Sequence, residues 1–221
     1  KPGEEKADAP SYNQGSAWQY RVKRQSIVSS STDEIGKGGE FVIEPVGNSV
    51  RVFRLENNQR IPMRRIDDLS MMLPTAIVLQ SPMKVFDFPL FVGKRWTNSF
   101  FAERRWLRAK NEVTAIETVT TPAGSFRAFR IDRLIDVLYP SSNIWFSRWT
   151  FYYSPETRSV VKLSYTGETK LDGLETALEI ELSKYNATGT GDRLQTAADP
   201  AGEPVIEVEA GRRWEPPPRS D

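Results

Sequence analysis

The 221-residue sequence predicts an all-β protein, a sandwich, roll or barrel of ten or more short strands. Three observations lead there. Apolar and polar residues alternate over several segments, the period of a half-buried strand. No long segment shows the three-and-four spacing of an amphipathic helix. Proline, glycine and asparagine punctuate the chain at short intervals, where turns are needed.

The elements follow in chain order. Trp18, Tyr20 and Val22 alternate with Gln19, Arg21 and Lys23, giving a first strand. Phe41-Val42-Ile43 and Val50-Arg51-Val52-Phe53 give two more, separated by Pro45 and by the turn formers Gly47-Asn48. Asp67 to Leu73 reads as a short helical turn stopped by Pro74. From Ser125 to Leu138, Phe129, Ile131, Ile135 and Val137 share one face and Arg130, Asp132 and Asp136 the other. Asn143 to Tyr153 is apolar on both faces, with Trp145, Trp149, Phe151 and Tyr153 on one and Ile144, Phe146 and Tyr152 on the other. Such a strand is central or covered on both sides. Leu174, Thr176, Leu178, Ile180 and Leu182 face one way in the last strand, and Glu175, Glu179 and Glu181 face the other.

These strands define a single β domain over residues 16–185. Residues 1–15 are polar, with two prolines and two glycines, and predict a flexible N-terminal arm. Residues 186–221 hold four glycines and five prolines and predict an acidic, low-complexity tail. Trp214, the aromatic before Pro216-Pro217-Pro218, would anchor a polyproline segment in a partner's groove, and the alternative is a disordered tail that needs no partner.

In the second half, Pro89-Leu90-Phe91-Val92-Gly93-Lys94-Arg95-Trp96 precedes a strand, and Val119-Thr120-Thr121-Pro122-Ala123-Gly124 leads into the next. Tyr152-Tyr153-Ser154-Pro155-Glu156 then turns into Ser159-Val160-Val161-Lys162, and Leu182-Ser183-Lys184-Tyr185 closes the body. Over residues 89–185 this resembles bacterial exported proteins and lipoproteins of a family without an assigned function, distantly like lipoprotein-carrier half-barrels. The resemblance implies a large curved antiparallel sheet or half-open barrel with few or no helices. It also implies a periplasmic or outer-membrane-associated location and a lipid anchor on a cysteine preceding Lys1. It supplies no catalytic residues. The motifs themselves make sense as turns, with proline presetting φ and glycine providing the exit.

Composition narrows the function classes. The chain has no cysteine and no histidine, so no Ser-His-Asp triad and no cysteine nucleophile. No metal site of ordinary His/Cys ligation and no cofactor is expected. The net charge of +1 argues against whole-chain attraction to nucleic acid. No window approaches the 18 or so apolar residues of a membrane-crossing helix.

The neutral total is uneven. Residues 84–110 carry seven basic and two acidic side chains, and residues 166–221 carry six basic and twelve acidic. Lys94, Arg95, Arg104, Arg105, Trp106 and Arg108 are therefore candidate contacts for a protein partner or an anionic surface, together with Trp214 of the tail. Trp145, Trp149, Phe151 and Tyr153 are candidates for lining a cavity that takes an apolar ligand such as lipid. No catalytic residue is assigned. Glu179 and Glu181, about 6.6 Å apart at a rise of about 3.3 Å per residue, fall within the spacing of a hydrolase carboxyl pair, but alternation opposite a leucine face is the signature of a solvated strand. Three functions follow for testing: an envelope scaffold or binding module, a carrier or sensor of an apolar ligand, and a carboxylate-dependent hydrolase.

Overall fold

The computed structural model describes residues 5–26, 39–69, 84–102, 105–137, 145–169 and 175–189. Strand is the only regular structure longer than a turn among them. The helical turn expected at Asp67–Leu73 runs largely outside the described residues, as do Gly36 to Gly38 and the tail beyond Gly189.

Ten strands form one antiparallel sheet that does not close into a barrel. They are β1 (Ala17–Ser26), β2 (Gly39–Val46), β3 (Ser49–Glu56), β4 (Gln59–Ile66), β5 (Arg95–Ala102), β6 (Arg105–Thr121), β7 (Gly124–Val137), β8 (Trp145–Ser154), β9 (Ser159–Thr169) and β10 (Glu175–Asn186). Their order is β4-β3-β2-β1-β10-β9-β8-β7-β6-β5. Two meanders, β1–β4 and β5–β10, are thus sewn together by one non-local pairing, β1 with β10. The turns fall where the sequence places them. Pro122-Ala123 links the pair Thr121↔Gly124, and Gly47-Asn48 links Val46↔Ser49 with Gly47 at φ 60°.

The alternating apolar residues share one face and form the core. Trp18 and Tyr20 of β1, Phe41 and Ile43 of β2, Phe129 and Ile131 of β7, Phe151 and Tyr153 of β8 and Ile180 and Leu182 of β10 are all buried in it. A small second cluster of Ala17, Val42 and Phe53 lies on the opposite side of the first meander.

The chain must pass from β4 at one edge to β5 at the other. The described end of this crossing, residues 84–94, lies on the core face. Val85 and Leu90 are buried, and Phe86 stands edge-to-face on Tyr153 at 5.4 Å and on Phe151 at 6.0 Å. Phe88 contacts Tyr153 at 5.3 Å.

The N-terminal segment, expected to be a flexible arm, is docked. Ala7 and Leu90 exchange backbone hydrogen bonds of 2.9 and 2.8 Å, Glu5 pairs with Arg127 at 2.6 Å, and Tyr12 meets the Trp18 ring at 5.5 Å. Polar composition concealed this because backbone bonds and one aromatic hold the segment. Its end packs against the end of β10 through two glycines. Gly189 has φ +71°, and a Cβ there would stand 2.4 Å from the Gln14 carbonyl oxygen, so no other residue fits.

Candidate functional site

The face opposite the core on β5–β8 is built in cross-strand rows. One row is Arg95–Glu112–Asp132–Thr150, and a second is Thr97–Lys110–Leu134–Arg148. Between them runs Trp96–Asn111–Arg133–Trp149, whose side chains alternate to the core face and leave only backbone here. The two rows are the banks of an open groove of about 830 Å3, with Arg130 at one side.

Charge in the groove is organised by strand pairing. Arg95 donates to Glu112 at 2.7 Å. Asp132 accepts from Thr114 at 2.8 Å, from Thr150 at 2.9 Å and from Arg130 at 3.1 Å. One row beyond, Asp136 accepts from Arg108 at 2.9 Å and from Lys110 at 3.2 Å. The basic excess of residues 84–110 is therefore partly neutralised by carboxylates of the neighbouring strand, which a count along the sequence does not see.

At the end of the same face the β5–β6 hairpin presents two rings to solvent. Phe101 and Trp106 are a facing pair, 61% and 48% exposed, with centroids 5.7 Å apart and planes at 68°. Neighbouring Phe100 and Leu107 turn to the core, so alternation places Phe101 and Trp106 outside. An exposed aromatic pair beside a basic groove is the arrangement of an anchor flanked by steering charges.

The residues singled out from sequence divide. Arg95, Trp106 and Arg108 sit together on this face. Lys94 does not belong with them: its side chain is 13% exposed and ties Asp87 at 3.0 Å and the Pro89 carbonyl at 3.0 Å, holding the crossing segment. Arg104 and Trp214 lie outside the described residues, and Arg105 and Trp145 enter only through backbone pairing. Trp149, Phe151 and Tyr153 do share a face, but Phe86 and Phe88 already cover the last two, and Trp149 stacks on Phe151 at 6.0 Å. The solvated reading of the last strand is corrected at Glu181, which is 4% exposed. Lys162 of β9 bridges Glu179 at 2.8 Å and Glu181 at 3.5 Å, so the two carboxylates share one ammonium.

Sequence reasoning missed Arg133. It stands in phase with Phe129, Ile131 and Ile135 and is 2% exposed on the core side. Its Nη2 donates to the Lys84 carbonyl at 2.8 Å and to Asn98 Oδ1 at 3.3 Å, while Nε and Nη1 have no partner among the described residues. Burial alone pulls its pKa down to about 10. The signal was available, since a charge in the apolar phase of a strand is the informative exception.

Acid should weaken this half of the sheet. Hydrogen bonding from Lys94 holds the Asp87 carboxyl below the ordinary carboxylate range. Burial pushes the Asp136 carboxyl up, but the hydrogen bonds from Arg108 and Lys110 outweigh it and leave it low. Depressed carboxyl groups contribute stability that is present above their unfolded pKa of about 4 and lost as pH falls through the folded value. Thermal denaturation is expected to show the melting temperature falling below about pH 4. Asp136→Asn should remove about 1 kcal/mol of that dependence, a small figure because the cluster is partly solvated. An unchanged acid slope in the variant counts against the pairing.

No family model matches the chain, and no curated protein matches it. Solved structures do align with the sheet. They include a predicted lipoprotein of Parabacteroides distasonis, 11% identical over 81% of this chain and 99% of that one, with a TM-score of 0.44. A predicted exported protein of Bacteroides fragilis with a YmcC-like fold is 11% identical over 81% and 99%, at 0.41. The hypothetical lipoprotein YmcC of Escherichia coli is 12% identical over 80% and 88%, at 0.38.

Proposed function

We propose that this chain is a non-enzymatic binding module of the bacterial cell envelope that docks on a larger assembly through the outer face of β5–β8. The observation that carries the reading is the exposed pair Phe101 and Trp106 at the end of the basic groove. Two large rings held in water at an otherwise polar face cost solvation that a partner surface would relieve. Arg95, Lys110, Arg130 and Arg148 outnumber Glu112 and Asp132 around the groove, and that excess favours an acidic rim on the partner. The exported location rests on the sequence resemblance.

The carrier reading has less support. Two of the rings that would line its cavity, Phe151 and Tyr153, are in contact with Phe86 and Phe88, so a ligand reaching them would first have to displace the crossing segment. Native mass spectrometry of gently extracted protein tests it through the presence of bound lipid. Glu179 and Glu181 both engage the Lys162 ammonium, at 2.8 and 3.5 Å, which disfavours their use as a hydrolase pair.

The docking reading is tested with Phe101→Ser/Trp106→Ser, both exposed, whose lost edge-to-face contact is expected to cost about 1 kcal/mol of stability. Quantitative affinity purification from envelope extract should lose the specific partners at least tenfold in the double variant. Equal recovery by the variant, at matched folding by circular dichroism, overturns it.

A further inference from the structure

The two edges of the sheet differ. The β4 edge carries Pro62, which cannot donate to a ladder, and Arg60, Arg64 and Arg65, the usual protections of an edge strand. The β5 edge, Arg-Trp-Thr-Asn-Ser-Phe-Phe-Ala, has no proline and a single charge. Among the described residues nothing pairs with its outer side.

The hydrogen bonds entering β5 set its phase. Gly93, at φ +89°, donates to the Val113 carbonyl at 2.8 Å, and the Val113 amide donates to the Lys94 carbonyl at 2.9 Å, a bulge with glycine in its first position. From Lys94 onward alternation turns the backbone of Trp96, Asn98 and Phe100 toward β6. It leaves the amides and carbonyls of Arg95, Thr97, Ser99 and Phe101 aimed at the free side.

We infer that β5 pairs with β5 of a second copy of this chain, antiparallel and centred on Asn98. The sequence is self-complementary in that register and in no neighbouring one that keeps the faces. Arg95 meets the other copy's Phe101 on the outer face, a cation over a ring. Trp96 meets Phe100 on the core face, an aromatic cross-strand pair. Thr97 meets Ser99, and Asn98 meets itself. Every facing pair that exchanges hydrogen bonds, Arg95 with Phe101 and Thr97 with Ser99, uses backbone groups that β6 leaves free. Centring on Ser99 instead would set Phe101 against Thr97 and Phe100 against Asn98, with Arg95 left over. The joined sheets place the two grooves on one continuous face, so the inference deepens the docking reading and rests on it for the use of that face.

Sedimentation velocity at tens of micromolar should show a dimer. Thr97→Pro removes an outward amide while leaving the β5–β6 ladder and both exposed rings intact, and should shift the chain to monomer. The cysteine-free chain allows a register test. At a centre without hydrogen bonds, the Asn98 Cα atoms would be about 4.5 Å apart, within the disulfide range of about 4.4–6.8 Å. Asn98→Cys should therefore cross-link under mild oxidation, and Ser99→Cys, about 8 Å from its copy by strand spacing, should not. A monomeric wild-type chain, a dimeric Thr97→Pro variant, or equal cross-linking of both cysteines overturns the inference. If the chain is monomeric yet still captures partners through Phe101 and Trp106, the pairing fails and the docking reading stands.

Discussion

Trp18→Ala is expected to lower stability by about 4 kcal/mol, the scale of emptying a buried tryptophan site, and the melting temperature by about 8–16 °C. The reason is its place in the sheet. Trp18 faces Tyr185 of β10 on one side and Ile43 of β2 on the other, so it sits at the seam where the two meanders meet. Its Nε1 donates to the Thr157 carbonyl at 2.7 Å, and Tyr12 of the N-terminal segment closes over its ring. Alanine therefore opens a void, strands a buried carbonyl and removes the ring on which Tyr12 packs. Trp18→Phe separates these terms. It keeps most of the volume and loses the hydrogen bond, for an expected loss of about 1–2 kcal/mol. Chemical denaturation of the three proteins checks both values. A loss below about 1 kcal/mol for Trp18→Ala would mean that the seam is held elsewhere.

Much of this fold is legible because the two faces of most strands meet different surroundings. Trp18, Tyr20 and Val22, or Leu178, Ile180 and Leu182, are buried in register, and their alternation follows directly. Turn chemistry adds the hairpins at Pro122-Ala123 and Gly47-Asn48. The pairing of β1 with β10 leaves no local trace, since it joins residues from the two ends of the body and depends on which edges remain open. The edge strands are also poorly written. β4 carries a proline and three arginines, and a one-sided strand needs little alternation.

The site was legible in part for the same reason. Arg95, Trp106 and Arg108 stand out as a basic aromatic run, and strand pairing brings them to one face. The same run cannot show that Lys94 is occupied by Asp87, or that Arg108 is occupied by Asp136 from β7. The Asp136 partner is set by β6–β7 register, and the Asp87 partner by the path of the crossing segment, neither of which a count of charges along the chain contains. Trp149, Phe151 and Tyr153 of β8 face one way, as their alternation predicts. The cover of the last two comes from Phe86 and Phe88, in a crossing segment with no strand pattern to announce it.

Arg133→Met should raise the stability of the protein by about 2 kcal/mol, with a melting temperature about 4–8 °C higher. A shift from the ordinary arginine value to about 10 corresponds to about 3 kcal/mol of preference against the buried charge. Among the described residues Arg133 meets no carboxylate, and its bonds go to the neutral oxygens of Lys84 and Asn98. Methionine fills similar space without a charge, and Asn98 Oδ1 keeps its bond from Asn111 at 3.3 Å. The Lys84 carbonyl loses one donor and keeps the bond from Asn98 Nδ2 at 3.2 Å, so only a small part of the gain is returned. Arg133→Lys retains the charge on a shorter reach and should destabilise. What the arginine supplies in exchange is position, because one guanidinium nitrogen joins the crossing segment at Lys84 to Asn98 on β5. The methionine variant should therefore be globally more stable and locally looser, with faster amide hydrogen exchange in residues 84–91 and at the β5 edge. Lower melting together with unchanged exchange would instead require a charged partner for Arg133.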